Sequence, residues 1–289
     1  MRRAFVLAGG ASLGAIQVGM LQALFERGIA PDLIVGTSAG AINGAFIASR
    51  EPTAATAEAL GELWRGLRRG AVFPTNPLTG FIGFIGRSDH LVPDGNLRRI
   101  IARNLNVERL EEMRVPLHVV VTDVLSGQEL RLSRGPTVDA VMASAAIPGV
   151  FAPVEVEGRR LMDGGVSDNT PISHAIELGA DEVYVLPTGY ACALHAPPRG
   201  ALAMLLHAMS LLIQQRLHLE IELYRDRAKL VVLPPPCPQE IQPIDFAHAE
   251  QLIESAVADS RTFLDWLEHE DSAEAPAAPA ERLVPHTHG

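Results

Sequence analysis

Two short runs of residues, each followed by a glycine-containing turn and a helical pattern, constrain the fold of this chain most strongly. The first run spans 4–8 and leads into a helix over about 15–27, which ends where Gly28 suits a C-cap. The second spans 32–35 and precedes a helix of small residues over 41–49. Short, largely apolar runs in this alternation with helices are typical of buried parallel strands, so the sequence predicts an α/β fold.

The rest of the chain continues the alternation of strands and helices. We predict strands at 116–123, 128–132, 182–186 and 230–233, a hairpin over 154–161, and helices at 53–69, 97–104, 138–146, 171–178, 201–224 and 249–268.

The predicted domain is a single unit over residues 1–270. Within it, the segment 72–95 is rich in proline and glycine and predicts an irregular loop or a lid. Beyond it, residues 271–289 are dominated by Ala, Pro, Glu and His, a composition that predicts a disordered tail.

Composition excludes several classes of protein. Of the 289 residues, 47% are hydrophobic and 20% charged, as in globular proteins, and the formal net charge of -10 disfavours binding to nucleic acid. The two cysteines, Cys192 and Cys237, have no zinc-site spacing, and we interpret them as reduced thiols of a cytoplasmic protein. No apolar run reaches the roughly 18 residues of a membrane span.

Ser38 lies in the pentapeptide Gly36-Thr37-Ser38-Ala39-Gly40, between a predicted strand and a predicted helix. A serine on such a turn, with Gly36 and Gly40 allowing close approach of neighbouring backbone, is typical of a hydrolase nucleophile. The alternative is that Thr37 or Ser38 only caps the following helix. The pentapeptide alone does not decide between these interpretations.

A second turn, Gly9-Gly10-Ala11-Ser12-Leu13-Gly14, follows the first strand and opens the first helix. Its N–H groups could bind a dinucleotide phosphate or stabilise an acyl oxyanion, or its glycines could serve helix packing alone. The dinucleotide interpretation is weak because it requires glycine at Ala11 and an acidic residue after the second strand. Turns after parallel strands gather at one sheet edge, so this turn could face Ser38.

A serine nucleophile needs a proton acceptor. Asp163 follows an apolar pair and precedes Gly164 and Gly165, which suits a carboxylate aimed from a strand end, although an ordinary Asx turn explains the same pattern. A catalytic triad with a later histidine is the alternative; the candidates are His174, His195, His207, His218 and His248.

Three segments in this order resemble the patatin-like phospholipase family: the glycine-rich stretch 7–15 with 17–19, the pentapeptide 36–40, and Asp163-Gly164-Gly165 followed by 169–171. Stretches at 122–127 and 143–154 are similar to the family as well. The resemblance implies a three-layer α/β/α fold with a central, mostly parallel sheet.

The resemblance also implies how the residues act. Ser38 is the implied nucleophile and Asp163 the implied base of a dyad without histidine, while Gly9, Gly10 and Ala11 supply backbone N–H groups. The implied function is hydrolysis of lipid acyl esters, of the phospholipase A or lysophospholipase type, with no cofactor and no metal.

This chain departs from the family pattern at two positions, where Ala11 replaces glycine and Leu13 replaces a basic residue. Two alternatives therefore stay open: a weakly active or non-catalytic lipid-binding protein on the same fold, and a simple carboxylesterase. The apolar residues of 81–85 and the helix at 201–224 could line an acyl site or touch a membrane surface transiently; for the helix, core packing or a dimer seam is favoured.

Overall fold

The strands and helices follow the predicted alternation closely. The computed structural model describes residues 1–74, 89–189, 201–237 and 241–271. Its strands are β1 (Arg3–Leu7), β2 (Leu33–Thr37), β3 (Leu117–Asp123), β4 (Glu129–Leu132), β5 (Val154–Val156), β6 (Arg159–Asp163), β7 (Glu182–Leu186) and β8 (Lys229–Val232). Its α-helices are α1 (Ala15–Glu26), α2 (Ala39–Ala48), α3 (Ala54–Gly66), α4 (Arg69–Val72), α5 (Gly95–Asn104), α6 (Thr137–Ser144), α7 (Ile172–Glu177), α8 (Ala201–Tyr224) and α9 (Ala249–Asp271).

The strands form one mixed, mostly parallel sheet in the order β5-β6-β3-β2-β1-β7-β8, with β4 paired to β3 as well. The pairs among β3, β2, β1, β7 and β8 are parallel. The pairs that β4 and β6 make with β3, and that β5 makes with β6, are antiparallel.

Helices cover both faces of the sheet, because the central strands are apolar on both sides. In β1, Phe5 and Leu7 belong to the larger hydrophobic core, whereas Ala4 and Val6 belong to the smaller one. The larger core includes residues of α1, α2, α3, α5, α6 and α9, and the smaller one includes residues of α7 and α8. The predicted three-layer α/β/α fold is therefore confirmed.

Strand β3 brings the ends of strands β2 and β6 together. Its residue Val120 pairs with Thr37 at the end of β2, and the next residue, Val121, pairs with Asp163 at the end of β6. At both positions β4 occupies the other side of β3. Thr37 and Asp163 therefore follow one another along a single edge of β3, which places the residue after Thr37 beside Asp163.

The predicted helix over 53–69 is wrong in one respect, because the backbone is extended at Leu67 and Arg68 and separates α3 from α4. The helix at 201–224 is confirmed. Its interpretation as core applies to Leu217, which is buried, whereas Leu212 and Leu219 are exposed. In the part of the chain that the structure describes, no helix has the length and apolarity that crossing a membrane requires.

Some sequence predictions fall outside the described residues. Most of the predicted lid, 75–88, and the predicted tail beyond residue 271 lie there, as does Cys192. The prediction of a reduced thiol at Cys237 is wrong, because this residue is disulfide-bonded. The thiol argument for a cytoplasmic location therefore no longer stands.

Candidate active site

Ser38 lies at the sharp turn between β2 and α2, with φ 55° and ψ -120°. A positive φ at a residue with a Cβ is strained and persists only where the surrounding structure imposes it. Here the surroundings are tight: a Cβ on Gly40 would lie 2.1 Å from the Leu7 carbonyl oxygen, and one on Gly36 would lie 2.6 Å from the Gly40 carbonyl oxygen. These two glycines allow β1, β2 and α2 to approach closely enough to form the turn.

The side chain of Ser38 does not cap α2, although the residue occupies the cap position. Its hydroxyl instead donates a hydrogen bond to Asp163 Oδ2 over 2.7 Å, and both side chains are buried. Thr37 does not cap the helix either, since its Oγ1 donates to the Asp168 carbonyl oxygen. The cap interpretation of the pentapeptide is therefore wrong.

The Asp163 carboxylate is held by the turn that follows it. Its Oδ1 accepts from the Gly165 N–H over 2.8 Å, which is the Asx turn expected as an alternative, while its Oδ2 remains directed at Ser38. A Cβ on Gly164 would lie 2.3 Å from the Val120 carbonyl oxygen, so only glycine fits there. The Asx turn and the hydrogen bond from Ser38 thus coexist.

Burial raises the pKa of Asp163 to about 6, against the lowering effect of its hydrogen bonds from Ser38 and Gly165. The carboxylate of an ordinary aspartate is a weak base, with a pKa of about 3.9. Asp163 therefore has a stronger tendency to accept a proton than a surface aspartate.

Ser144, at the end of α6, fixes the backbone of the turn that holds Ser38. Its hydroxyl accepts from the Ser38 N–H over 2.8 Å and donates to the Val120 carbonyl oxygen over 2.6 Å. Ser144 falls in a stretch that is similar to the family, but no local feature of the sequence predicts this role.

The glycine turn packs directly against Ser38 and the loop after Asp163. A Cβ on Gly9 would lie 3.0 Å from Ser38 Cβ and 2.4 Å from Asn169 Oδ1, and one on Gly10 would lie 2.2 Å from Thr188 Oγ1. The Gly9 N–H donates to the Asn169 carbonyl oxygen, so this donor is already occupied. The glycines therefore allow close packing, and the N–H groups of Gly10 and Ala11 form no hydrogen bond with the described residues.

Ala11 has a φ of 49°, the conformation that its alanine side chain disfavours. Alanine in place of glycine therefore strains the backbone at this position, but the turn still forms. Gly14 follows at the start of α1, where a Cβ would lie 2.8 Å from the Trp64 ring.

Three buried polar side chains tie this turn to the helices. Gln17 Nε2 donates to the carbonyl oxygens of Ala8 and Leu186, and Asn43 Nδ2 donates to Gln17 Oε1 and to the Gly14 carbonyl oxygen. Trp64 Nε1 completes the network by donating to Asn43 Oδ1 over 2.8 Å. Because every buried polar group here has a partner, the network holds the turn in one position.

An apolar cavity adjoins Ser38 and opens to solvent. All of its lining residues except Ser38 and Asn104 are apolar or aromatic. They are Ala11, Ala39, Ile42, Phe46, Leu63, Trp64, Leu67, Val72, Phe73, Leu97, Ile100, Ile101, Leu105, Ala145, Ile147, Phe151 and Phe246. Such a cavity suits a hydrocarbon chain.

Among the described side chains, no imidazole forms a hydrogen bond with Ser38. Two of the candidate histidines contact other carboxylates instead: His174 Nε2 lies 2.7 Å from Glu129 Oε1, and His248 Nδ1 lies 3.1 Å from Asp245 Oδ2. The histidine triad therefore has no support in this part of the molecule; His195 and the side chain of His207 lie outside it.

A serine on a strained strand-to-helix turn, a buried carboxylate as its partner and an adjoining apolar cavity define the type of site found in acyl hydrolases. A model of the family "Patatin-like phospholipase" matches residues 5–176, more than half of the chain. This chain belongs to the patatin-like phospholipase family, a family of lipid acyl hydrolases, as the resemblance implied.

Several relatives are similar to part of the chain. An NTE family protein of Mycobacterium tuberculosis is 33% identical over 180 residues, which are 62% of this chain and 47% of the relative. Lysophospholipase nte1 of Aspergillus terreus is 30% identical over 64% of this chain and 12% of its own length. The chain thus spans less than half the length of these relatives.

Among solved structures, VipD from Legionella pneumophila matches 91% of this chain and 67% of its own, with 17% identity and a TM-score of 0.46.

Proposed function

We propose that this chain hydrolyses acyl esters of lipids, as a phospholipase A or lysophospholipase, through a dyad of Ser38 and Asp163. The observation that carries the proposal is the 2.7 Å hydrogen bond from Ser38 Oγ to Asp163 Oδ2 at the edge of an apolar cavity. Membership of the patatin-like phospholipase family and similarity to a protein named lysophospholipase support the lipid ester as substrate.

In the proposed reaction, the Asp163 carboxylate takes the hydroxyl proton while Ser38 Oγ bonds to the carbonyl carbon of the ester. The resulting tetrahedral intermediate collapses, the bond to the leaving alcohol breaks, and Asp163 returns the proton to that alcohol. Water then attacks the acyl-serine, again losing a proton to Asp163, and the free fatty acid leaves as the Ser38 hydroxyl is restored.

The negative oxygen of the intermediate needs hydrogen-bond donors. The N–H groups of Gly10 and Ala11 are without a partner among the described residues, and Ala39 begins α2, where a helix leaves its first N–H groups unpaired. Ala11, Ser38 and Ala39 all line the same cavity. We assign the oxyanion site to these three backbone groups, whereas Gly9 serves to bring the turn against Ser38.

The cavity takes the acyl chain in this proposal. It follows α2 from Ser38 to Phe46, and eight residues of helix rise by about 12 Å at 1.5 Å per residue. A chain of several methylene groups can therefore lie along it, so long-chain esters should be better substrates than acetate esters. Contact with a membrane or micelle surface would then be transient, at the time of substrate entry.

Labelling with a fluorophosphonate probe, together with hydrolysis of lysophosphatidylcholine and p-nitrophenyl esters of increasing length, tests the proposal. Ser38→Ala should lose the label and all turnover. Ser49→Ala, the same change at the opposite end of α2, should keep both. Lipid binding by the unaltered protein without labelling or turnover would instead identify a non-catalytic lipid-binding protein, and cleavage of short esters alone would identify a simple carboxylesterase.

A further inference from the structure

A second group of charged side chains lies where β4 meets α7 and α8. It consists of Glu129, Asp168, His174, Arg216 and Glu220. One potential ligand atom from each of Glu129, Asp168 and His174 lies within 4.8 Å of the other two. None of these residues belongs to the dyad or to the apolar cavity.

Asp168 is the most buried member of the group, with its side chain 1% exposed. Its Oδ1 accepts from the Thr170 N–H over 3.1 Å. Its Oδ2 is buried and has no hydrogen-bond donor in the described part of the chain; Arg216 Nη2, at 3.7 Å, is beyond hydrogen-bond length. A buried carboxylate oxygen without a donor is costly, so it indicates a ligand at this position.

The charges of the group do not balance. Arg216 is shared among the three carboxylates: its Nε lies 2.9 Å from Glu220 Oε1, and its Nη2 lies 3.4 Å from Glu129 Oε2 and 3.7 Å from Asp168 Oδ2. One guanidinium shared among three carboxylates leaves an excess of acidic groups at this position, which favours a bound cation. Uncompensated charge of this kind is unfavourable away from water.

We propose that Glu129, Asp168 and His174 bind a divalent transition-metal ion, with Zn²⁺ as the ion of choice. Two carboxylates and one imidazole suit Zn²⁺, whereas Mg²⁺ and Ca²⁺ prefer oxygen ligands alone. His174 Nε2 and Glu129 Oε1 contact each other directly, 2.7 Å apart. On binding, the ion separates these two atoms and bonds to both.

The ion has a structural role and takes no part in the hydrolysis. The Asp168 carbonyl oxygen accepts from Thr37 Oγ1, directly before Ser38, and the neighbouring Asn169 donates from Nδ2 to the Gly9 carbonyl oxygen. An ion that anchors Asp168 therefore fixes the loop that contacts both the turn that holds Ser38 and the glycine turn.

Calorimetric titration of Zn²⁺ into chelator-treated Ser38→Ala protein tests the proposal independently of hydrolysis. We expect one ion per chain and a rise in Tm of about 5 °C at a hundredfold excess over Kd, with no effect of Mg²⁺ at the same concentration. Asp168→Asn and His174→Gln should each weaken Zn²⁺ binding by about tenfold or more. Asp226→Asn, an identical change at an exposed position, should leave the binding unchanged.

Absence of binding, or binding that Asp168→Asn and His174→Gln leave intact, overturns the proposal. In the second case the ion is held elsewhere, for which His286 and His288 near the end of the chain are candidates. Should Asp168→Asn fail to fold, Glu129→Gln decides the question, because this side chain is 25% exposed and tolerates the change more readily.

Discussion

Two buried aspartates, Asp163 at the end of β6 and Asp168 in the loop that follows, differ in the hydrogen bonds that their carboxylates accept. Asp163 has a hydrogen-bond donor on each oxygen, whereas Asp168 Oδ2 has none among the described residues. Burial raises the pKa of both, to about 6 for Asp163 and about 7 for Asp168, where Glu220 and Glu129 raise it further. The comparison teaches that burial alone does not define a function: the partner of each carboxylate does.

The largest effect that distinguishes the two residues concerns turnover. Asp163→Asn should lower kcat/KM by about 10³-fold, because the amide cannot accept the Ser38 proton. Asp168→Asn should lower it by less than about tenfold, since its side chain does not touch Ser38. Steady-state kinetics with one long-chain ester measure both. Equal losses of kcat/KM in the two variants would contradict the distinct roles of the two aspartates. Asp226→Asn is the control for the same change at the surface.

The pH dependence of kcat/KM is the next largest effect. Asp163 must be ionised to act as base, so activity should fall about tenfold per pH unit below the pKa of about 6 and level off above it. A profile recorded from pH 4 to 9 with a substrate that does not titrate checks this expectation. An inflection near pH 4 would show that the carboxylate behaves as a surface group and would contradict the effect of burial.

Stability should change in the opposite direction from activity in Asp163→Asn. A carboxyl group with a pKa higher in the folded than in the unfolded state destabilises the fold when it is ionised; the penalty is absent below about pH 4 and complete above about pH 6. The variant should therefore gain about 3 kcal/mol at pH 8 and little at pH 4, at about 1.4 kcal/mol per pKa unit. Urea unfolding at both pH values measures the difference, and a loss of stability at pH 8 would contradict it.

The smallest effect concerns Ala11, in the glycine turn that packs against Ser38. Ala11→Gly should relieve the strain of a φ of 49° and stabilise the fold by up to about 1 kcal/mol, while Zn²⁺ binding stays unchanged. The matched change Ala41→Gly, inside α2, should destabilise instead, because glycine is unfavourable within a helix. Thermal unfolding gives the Tm of both variants. Equal decreases in Tm would show that Ala11 is unstrained.

Much of the fold could be predicted from local patterns. The largely apolar runs that became β1, β2 and β7, and Gly28 after α1, are features that neighbouring residues determine by themselves. The separation of α3 from α4 could not be predicted, because nothing in the local sequence at Leu67 and Arg68 forbids a helix.

The sequence by itself determined that a tight turn follows the second strand, since Gly36 and Gly40 have no side chain to prevent close approach of the backbone. Only the tertiary structure decided that Asp163 lies within hydrogen-bond distance of Ser38, because consecutive residues of β3 pair with Thr37 and Asp163. Ser38 and Asp163 are 125 residues apart in the sequence. The tertiary structure also decided the role of Ser144 and the unpaired oxygen of Asp168, since hydrogen bonds between distant segments follow from packing and leave no local signal.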